Sequence, residues 1–254
     1  MRRMAFVAMA LATAMAAQAQ PKGSADVATA VAAPGRPKAA TDLDEVRKPA
    51  EVLRFMGLKK GDRALDYFTG TGYYADIMAR AVGPRGHVVG WNSASFARRE
   101  PVVKALADIR ARNSNTAFYS SPSTAIAFAP NRFDFALLHL VYHDAYWESA
   151  QFGLPRIDPS TVVKAIWDAV KPGGTVAVID HVATPGGDTR EVVEKLHRID
   201  PAVVRADFER AGFVLEAQSD LLRVREDDHS KNVFDPGIRG KTDRFMYRFR
   251  KPAR

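Results

Sequence analysis

The 254-residue chain contains no cysteine. That absence excludes a disulfide framework, a thiolate zinc site, an iron–sulfur cluster and a cysteine nucleophile. Long apolar runs are scarce as well. One opens the chain: Met1-Arg2-Arg3 is a short cationic start, Met4 to Ala17 carries no charge, and Ala17-Gln18-Ala19 supplies a small-x-small cleavage pattern. Spanning a bilayer takes about 20 apolar residues, so residues 1–19 read as a cleaved secretory signal. This implies a periplasmic or secreted protein with no stable membrane anchor after cleavage. No later segment is long and apolar enough to span, and no internal repeat is visible.

What is present is ordinary for a folded protein. Hydrophobic residues make up 46% and charged residues 26%, which excludes a wholly disordered chain or a collagen-like repeat. Half of the +8 net charge falls in the first forty residues, from Arg2, Arg3, Lys22, Arg36 and Lys38 against Asp26. The remaining excess is too mild and dispersed to argue for nucleic acid as a partner. Residues 20–40 are rich in Ala, Pro, Gly, Lys and Ser without an apolar period, and read as a flexible linker. One domain, 41–254, follows.

Within that domain helix and strand patterns alternate. Thr41 to Asp44 can cap a helix running towards Met56, with Gly57 placed to end it. Arg63 to Tyr67 reads as a strand, Tyr73 to Val82 as a helix, and His87 to Trp91 as a second strand. A helix over Ser95 to Arg112 has Val102, Val103, Leu106 and Ile109 on one side. Thr116 to Tyr119 and Phe133 to Val141 are the third and fourth strands. A helix from Pro159 to Val170 is closed by Lys171-Pro172-Gly173-Gly174, and a strand from Thr175 to His181 follows. Helices over Thr189 to Arg198 and Ala202 to Ala211 precede strands at Phe213 to Ser219 and Arg244 to Arg250. Strands separated by helices imply an α/β fold with a parallel sheet covered on both faces.

The informative stretch is Ala64-Leu65-Asp66-Tyr67-Phe68-Thr69-Gly70-Thr71-Gly72. A strand followed by Gly-x-Gly and a helix brings backbone N–H groups close to a ligand. Gly70 to Ala75 also fits the dinucleotide pattern G-x-G-x-x-A. Asp66 separates the two readings, because a carboxylate at the end of the first strand opposes a pyrophosphate. It suits a ligand with an ammonium beside a carboxylate, the shape of S-adenosylmethionine.

Here the sequence resembles the class I S-adenosylmethionine-dependent methyltransferases. The residues that carry the resemblance are the strand-Asp-loop-helix segment at 63–82, the second strand ending at Asn92, Lys171 to Gly174, and Gly212-Phe213. More narrowly, Tyr142-His143-Asp144, Asp180-His181, His197 to Asp200, Asp227-Asp228-His229 and Lys241-Thr242-Asp243 resemble a group of exported, predicted methyltransferases. The resemblance implies a Rossmann-like, seven-stranded sheet in the order 3-2-1-4-5-7-6 with the last strand antiparallel. It also implies S-adenosylmethionine as cofactor, with Asp66, Phe68, Gly70, Gly72, Asn92 and Ser121 at the cofactor positions. Three of these depart from the family pattern. Phe68 stands where the first loop glycine is usual, Asn92 replaces the acid that binds ribose hydroxyls, and Ser120-Ser121 replaces the acid near adenine. A neutral amide bonds more weakly than a carboxylate.

In an open parallel sheet the ligand crevice lies beyond the carboxyl ends of the strands. His143-Asp144 follows the fourth strand and Asp180-His181 closes the fifth, so both pairs are expected at that crevice. His197 and Asp227-Asp228-His229 could reach it too. A neutral His143 or His181 can take the proton of a hydroxyl or amine acceptor, oriented by Asp144 or Asp180. A divalent ion on Asp144, Asp180, His181 and His229 is a second option, although no compact motif such as H-E-x-x-H is present. The chain also lacks a G-x-S-x-G hydrolase elbow and the Asn/Asp-Pro-Pro-aromatic segment of enzymes that methylate nucleic-acid amines. The expected function is methyl transfer to a small molecule. The competing expectation is an exported, non-catalytic or metal-binding protein using the same crevice for a nucleoside-like ligand.

Overall fold

The computed structural model describes residues 22–253; the signal read at 1–19 lies outside the described residues. Seven strands form one sheet: β1 (Arg63–Tyr67), β2 (His87–Ser93), β3 (Thr116–Ser121), β4 (Phe133–His139), β5 (Val170–His181), β6 (Val214–Ser219) and β7 (Arg244–Arg250). Their spatial order is β3-β2-β1-β4-β5-β7-β6. The pairs among β1 to β5 are parallel, and β7 runs antiparallel to both β5 and β6. The sheet expected from the sequence is therefore present, in order and in direction.

Strand alternation divides the core in two. Ala64, Phe135, Leu137, Ala177 and Ile179 face one side, where α1 (Val27–Ala32), α4 (Pro49–Met56) and α5 (Tyr73–Val82) pack. Leu65, Ala136, Leu138, Val176 and Val178 face the other, covered by α8 (Pro159–Ala169) and α10 (Pro201–Arg210). Both α8 and α10 open with an aspartate cap followed by proline, Asp158-Pro159 and Asp200-Pro201. The side chain satisfies an early N–H, and proline presets φ where no hydrogen bond is lost.

Four expectations need correction. Residues 20–40 are not a loose tether in their described part: α1 and α2 (Lys38–Thr41) form there. Val27 and Ala30 are buried in the same core as Ile77 and Met78, and Arg36 makes a two-pronged ion pair with Asp44 at 2.6 and 2.7 Å. Two apolar residues three apart were enough to seat a short helix on α5. The helix expected to run unbroken to Met56 divides into α3 (Asp44–Arg47) and α4 at Lys48, whose φ is 44°. Pro49 disfavours helical geometry in the residue before it. The helix expected over Ser95 to Arg112 also divides, into α6 (Ala94–Ala97) and α7 (Glu100–Arg112), at an extended Arg99, with Pro101 in the first turn of α7, where its missing N–H costs no helical bond. Finally, Lys171 to Gly174 do not close a helix: β5 begins at Val170 and carries these residues as an irregularity in its pairing with β4.

Gly72 caps the N-terminus of α5 at φ 83°. A Cβ there would lie 2.4 Å from Ile109 Cδ1 of α7, so both backbone and packing demand glycine. This lets α7 press against the start of α5 and fixes the loop between β1 and that helix. The remaining helix, α9 (Thr189–Leu196), ends on His197 in a left-handed cap at φ 52°.

Candidate active site

The loop after β1 is held by side chains of the strands beside it. Asp66 is 4% exposed and accepts from Thr69 Oγ1 at 2.6 Å and from the Ala75 N–H. Burial pushes its carboxyl up to about 7, against these hydrogen bonds and the nearby Arg47 guanidinium. Asp66 thus ties the loop to the first turn of α5 and does not line the crevice. The carboxylate expected to meet a ligand ammonium is engaged by the loop and by α5 instead.

Asn92 is 1% exposed. The Gly70 N–H donates to its Oδ1 at 2.9 Å, and its Nδ2 donates to the Gly70 carbonyl at 3.0 Å. Both ends of the amide are engaged by the glycine loop, so the expected ribose contact is closed in this geometry. Ser121 likewise points its Oγ at Trp91, whose Nε1 donates to it at 3.0 Å; it holds an indole at the position expected to meet adenine. Phe68 takes φ 53° and packs on Trp91 and Phe96, with ring centroids 5.9 and 5.2 Å away. It lines the crevice, as does Ser93 at the end of β2. A Cβ on Gly70 would meet nothing within 4 Å, so the loop has an open side there.

That crevice is a cavity of about 500 Å³ at the carboxyl ends of β1, β2, β4 and β5, and His143, Asp144, His181 and His197 all line it. Asp180, at 0% exposure, lies beneath them. Its Oδ1 meets His143 Nδ1 at 2.7 Å and the His181 N–H at 2.8 Å, and its Oδ2 accepts the His143 N–H at 2.9 Å. Asp144 Oδ1 lies 3.4 Å from His143 Nε2. Burial opposes charge on His143, but Asp180 and Asp144 outweigh it and raise the imidazole to about 9. Asp144 is itself pushed up to about 6 by burial, with His143 pulling the other way. The two carboxylates favour an imidazolium on His143, with Nδ1 donating to Asp180 and Nε2 facing Asp144. This setting suits a positioning role for His143 better than that of the neutral base the sequence allowed.

His181 has the opposite character. Burial, then the charges of His143, Arg244 and Arg198, hold it well below the usual range. Its Nδ1 lies 2.7 Å from Thr242 Oγ1. The tautomer that donates from Nδ1 to this hydroxyl leaves a lone pair on Nε2, the atom a base needs. Asp180 orients His143 through its ring, whereas His181 is oriented by Thr242. Lys241-Thr242-Asp243 carried the resemblance, but only the β5–β7 pairing reveals this contact. His197 reaches the crevice as expected. Burial and the His143 charge lower it to about 4, its ring packs 4.6 Å from Trp147, and its Nδ1 has no partner among the described residues.

Asp227-Asp228-His229 does not reach the crevice. Arg198, at 0% exposure, pairs with Asp227 at 2.9 Å, while His229 Nε2 and Arg223 converge on Asp243 at 2.9 and 2.8 Å. With His229 held there and Asp180 committed to His143, the four-residue metal site is not assembled. Among the described residues no group of three ligating side chains is arranged to hold an ion.

The sheet order and the β1–loop–α5 unit together define the class I methyltransferase fold. Residues 41–116 match the family model of protein-L-isoaspartate(D-aspartate) O-methyltransferase. A demethylmenaquinone methyltransferase of Geobacillus kaustophilus is 28% identical over 135 residues, 51% of this chain and 50% of the relative. One from Listeria monocytogenes is 29% identical over 134 residues, covering 51% and 49%. The chain thus spans about half the length of the curated relatives it matches. Among solved structures, an S-adenosylmethionine-dependent methyltransferase from Aquifex aeolicus superposes with a TM-score of 0.56 at 20% identity, covering 83% of this chain and 98% of that one. One from Mesorhizobium loti gives 0.53 at 18% identity, covering 82% and 99%.

Proposed function

We propose that this protein is an S-adenosylmethionine-dependent methyltransferase acting on a small-molecule hydroxyl or amine held in the crevice. The observation that carries the reading is a neutral imidazole, His181, lining the cavity at the end of β5 in a class I methyltransferase fold. The matched family model and the curated relatives support the same chemistry.

The cavity's side chains suit the cationic part of the cofactor. Phe68 and Phe96 offer ring faces to a sulfonium, and Asp144 adds a carboxylate beside them. The usual ribose contact is replaced, because Asn92 is closed onto Gly70. When bound, the cofactor supplies an electrophilic methyl group. The chain's own residues do the rest: the crevice holds the acceptor in line and limits water, and His181 Nε2 takes the acceptor proton. His143, fixed by Asp180, adds a positive charge that, after burial, favours the neutral form of His181, the form able to accept a proton.

Calorimetric titration with S-adenosylmethionine, S-adenosylhomocysteine and NAD tests this. Heat with the first two and none with NAD is expected; no heat with the first two at millimolar concentration, on folded protein, contradicts the reading. His181→Gln should spare cofactor affinity and lower turnover by about 100-fold or more. We further propose a periplasmic or secreted location, supported by the cationic start, apolar run and Ala17-Gln18-Ala19. The protein recovered from an expressing bacterium should then begin at Gln20; an intact Met1 would contradict export with cleavage.

A further inference from the structure

We propose, building on the methyl-transfer reading, that the acceptor is a flat aromatic hydroxyl compound bearing an acidic group. Phe68, Phe96, Trp147, Phe152 and Phe234 all line the one cavity that also holds His181. Edge and face contacts of this kind favour a planar ring over a flexible aliphatic alcohol of similar size. Two polar atoms of lining residues lack partners among the described residues. Trp147 Nε1 and His197 Nδ1 are buried without a partner among the described residues, and folded proteins rarely leave such groups unmatched without water or a ligand to meet them. His197 is 9% exposed. A phenolic oxygen can give its proton to His181 Nε2.

Charge selects between hydroxyl and amine. Protonated His143 lines the cavity with its two neighbouring carboxylates already turned towards it. At the rim, the Arg99 guanidinium lies 4.7 Å from the ring centroids of both Phe96 and Phe152 and has no carboxylate partner among the described residues. An ammonium at this rim meets the Arg99 guanidinium. A carboxylate on the far side of the ring meets Arg99, whose fork matches it.

Calorimetry on the purified chain without cofactor tests the proposal, using 4-hydroxyphenylacetate, 4-methylphenol, tyramine and cyclohexylacetate as probes. The acid phenol should bind about tenfold tighter than each of the other three. Arg99→Gln, an exposed position, should remove its advantage over 4-methylphenol and change 4-methylphenol itself by less than about twofold. Trp147→Phe should weaken both phenols. Tyramine or cyclohexylacetate matching the acid phenol, equal weakening of both phenols by Arg99→Gln, or no binding by any probe at millimolar concentration overturns it. The cofactor titration is a separate measurement. The expected ranking with no cofactor heat sinks methyl transfer and keeps the aromatic site, whereas cofactor heat without the ranking does the reverse.

Discussion

Two places in this molecule look alike in sequence and differ in kind. Asp180-His181 and Asp227-Asp228-His229 each set a histidine beside aspartate, and both follow or precede a strand of the same half of the sheet. At the first, the histidine is neutral, lines a cavity and keeps Nε2 without a protein partner among the described residues. At the second, each side chain has a partner: Arg198 pairs with Asp227, Arg223 and His229 meet Asp243, and Asp228 accepts from Ser230. A site able to do chemistry keeps one group incompletely satisfied, while a clasp satisfies all of them. The clasp ties the 220–243 segment to β7 and to the end of α9, and so holds Val233 and Phe234 against the crevice.

The sharpest way to break this comparison is at the clasp. Arg198→Ala removes bonds to Asp227, to the Val182 carbonyl and to the Lys231 carbonyl, and leaves a buried carboxylate without its cation. A loss of about 3–5 kcal/mol in denaturant unfolding is expected; a loss under 1 kcal/mol would mean the network is ornamental. Asp180→Asn attacks the crevice instead. It should cost roughly 2–3 kcal/mol at pH 7, because the His143 imidazolium loses its carboxylate. Here the folded group is raised above its unfolded value near 6.5, to about 9. Its contribution is therefore complete below pH 6.5 and fades as pH rises through 9, and the penalty of Asp180→Asn should fade with it. A penalty that grows above pH 9 would reverse the assigned charge.

Asp66 gives the smaller effect and the opposite sign. Its folded carboxyl is raised from the ordinary 3.8 to about 7, so the folded state binds the extra proton and stability falls as pH climbs from about 4 to 7. Asp66→Asn cannot ionise and still offers an acceptor to Thr69 or Ala75. It should stabilise the protein by about 1–2 kcal/mol at pH 8 and leave it nearly unchanged at pH 4. Destabilisation at pH 8 would show that the charge itself holds the loop.

The fold was legible because hydrophobic strands recur between glycine- and proline-marked turns, and right-handed crossovers leave few ways to order them. The helix breaks before Pro49 and before Glu100-Pro101 were also written in the chain, since proline constrains the residue before it and favours the first turn of a helix; an amphipathic period read across them hid the interruption. The crevice was legible as a location, through His143, Asp144 and His181 at strand ends. The charge states were not. Whether Asp180 serves His143 or His181 depends on the turn after β4, and Thr242 meets His181 only because β7 pairs antiparallel with β5. Nor could the sequence show that Asn92 would close on Gly70, a contact across 22 residues that competes with the ligand role its position suggested.

The most direct test is nuclear magnetic resonance of the histidine ring signals during titration with S-adenosylhomocysteine near pH 7. The account predicts that His143, already protonated, and the neutral His181 and His197 all shift as the crevice fills, while His229 stays still. Movement of His229 with the three crevice rings unmoved would contradict it and relocate the site to the clasp.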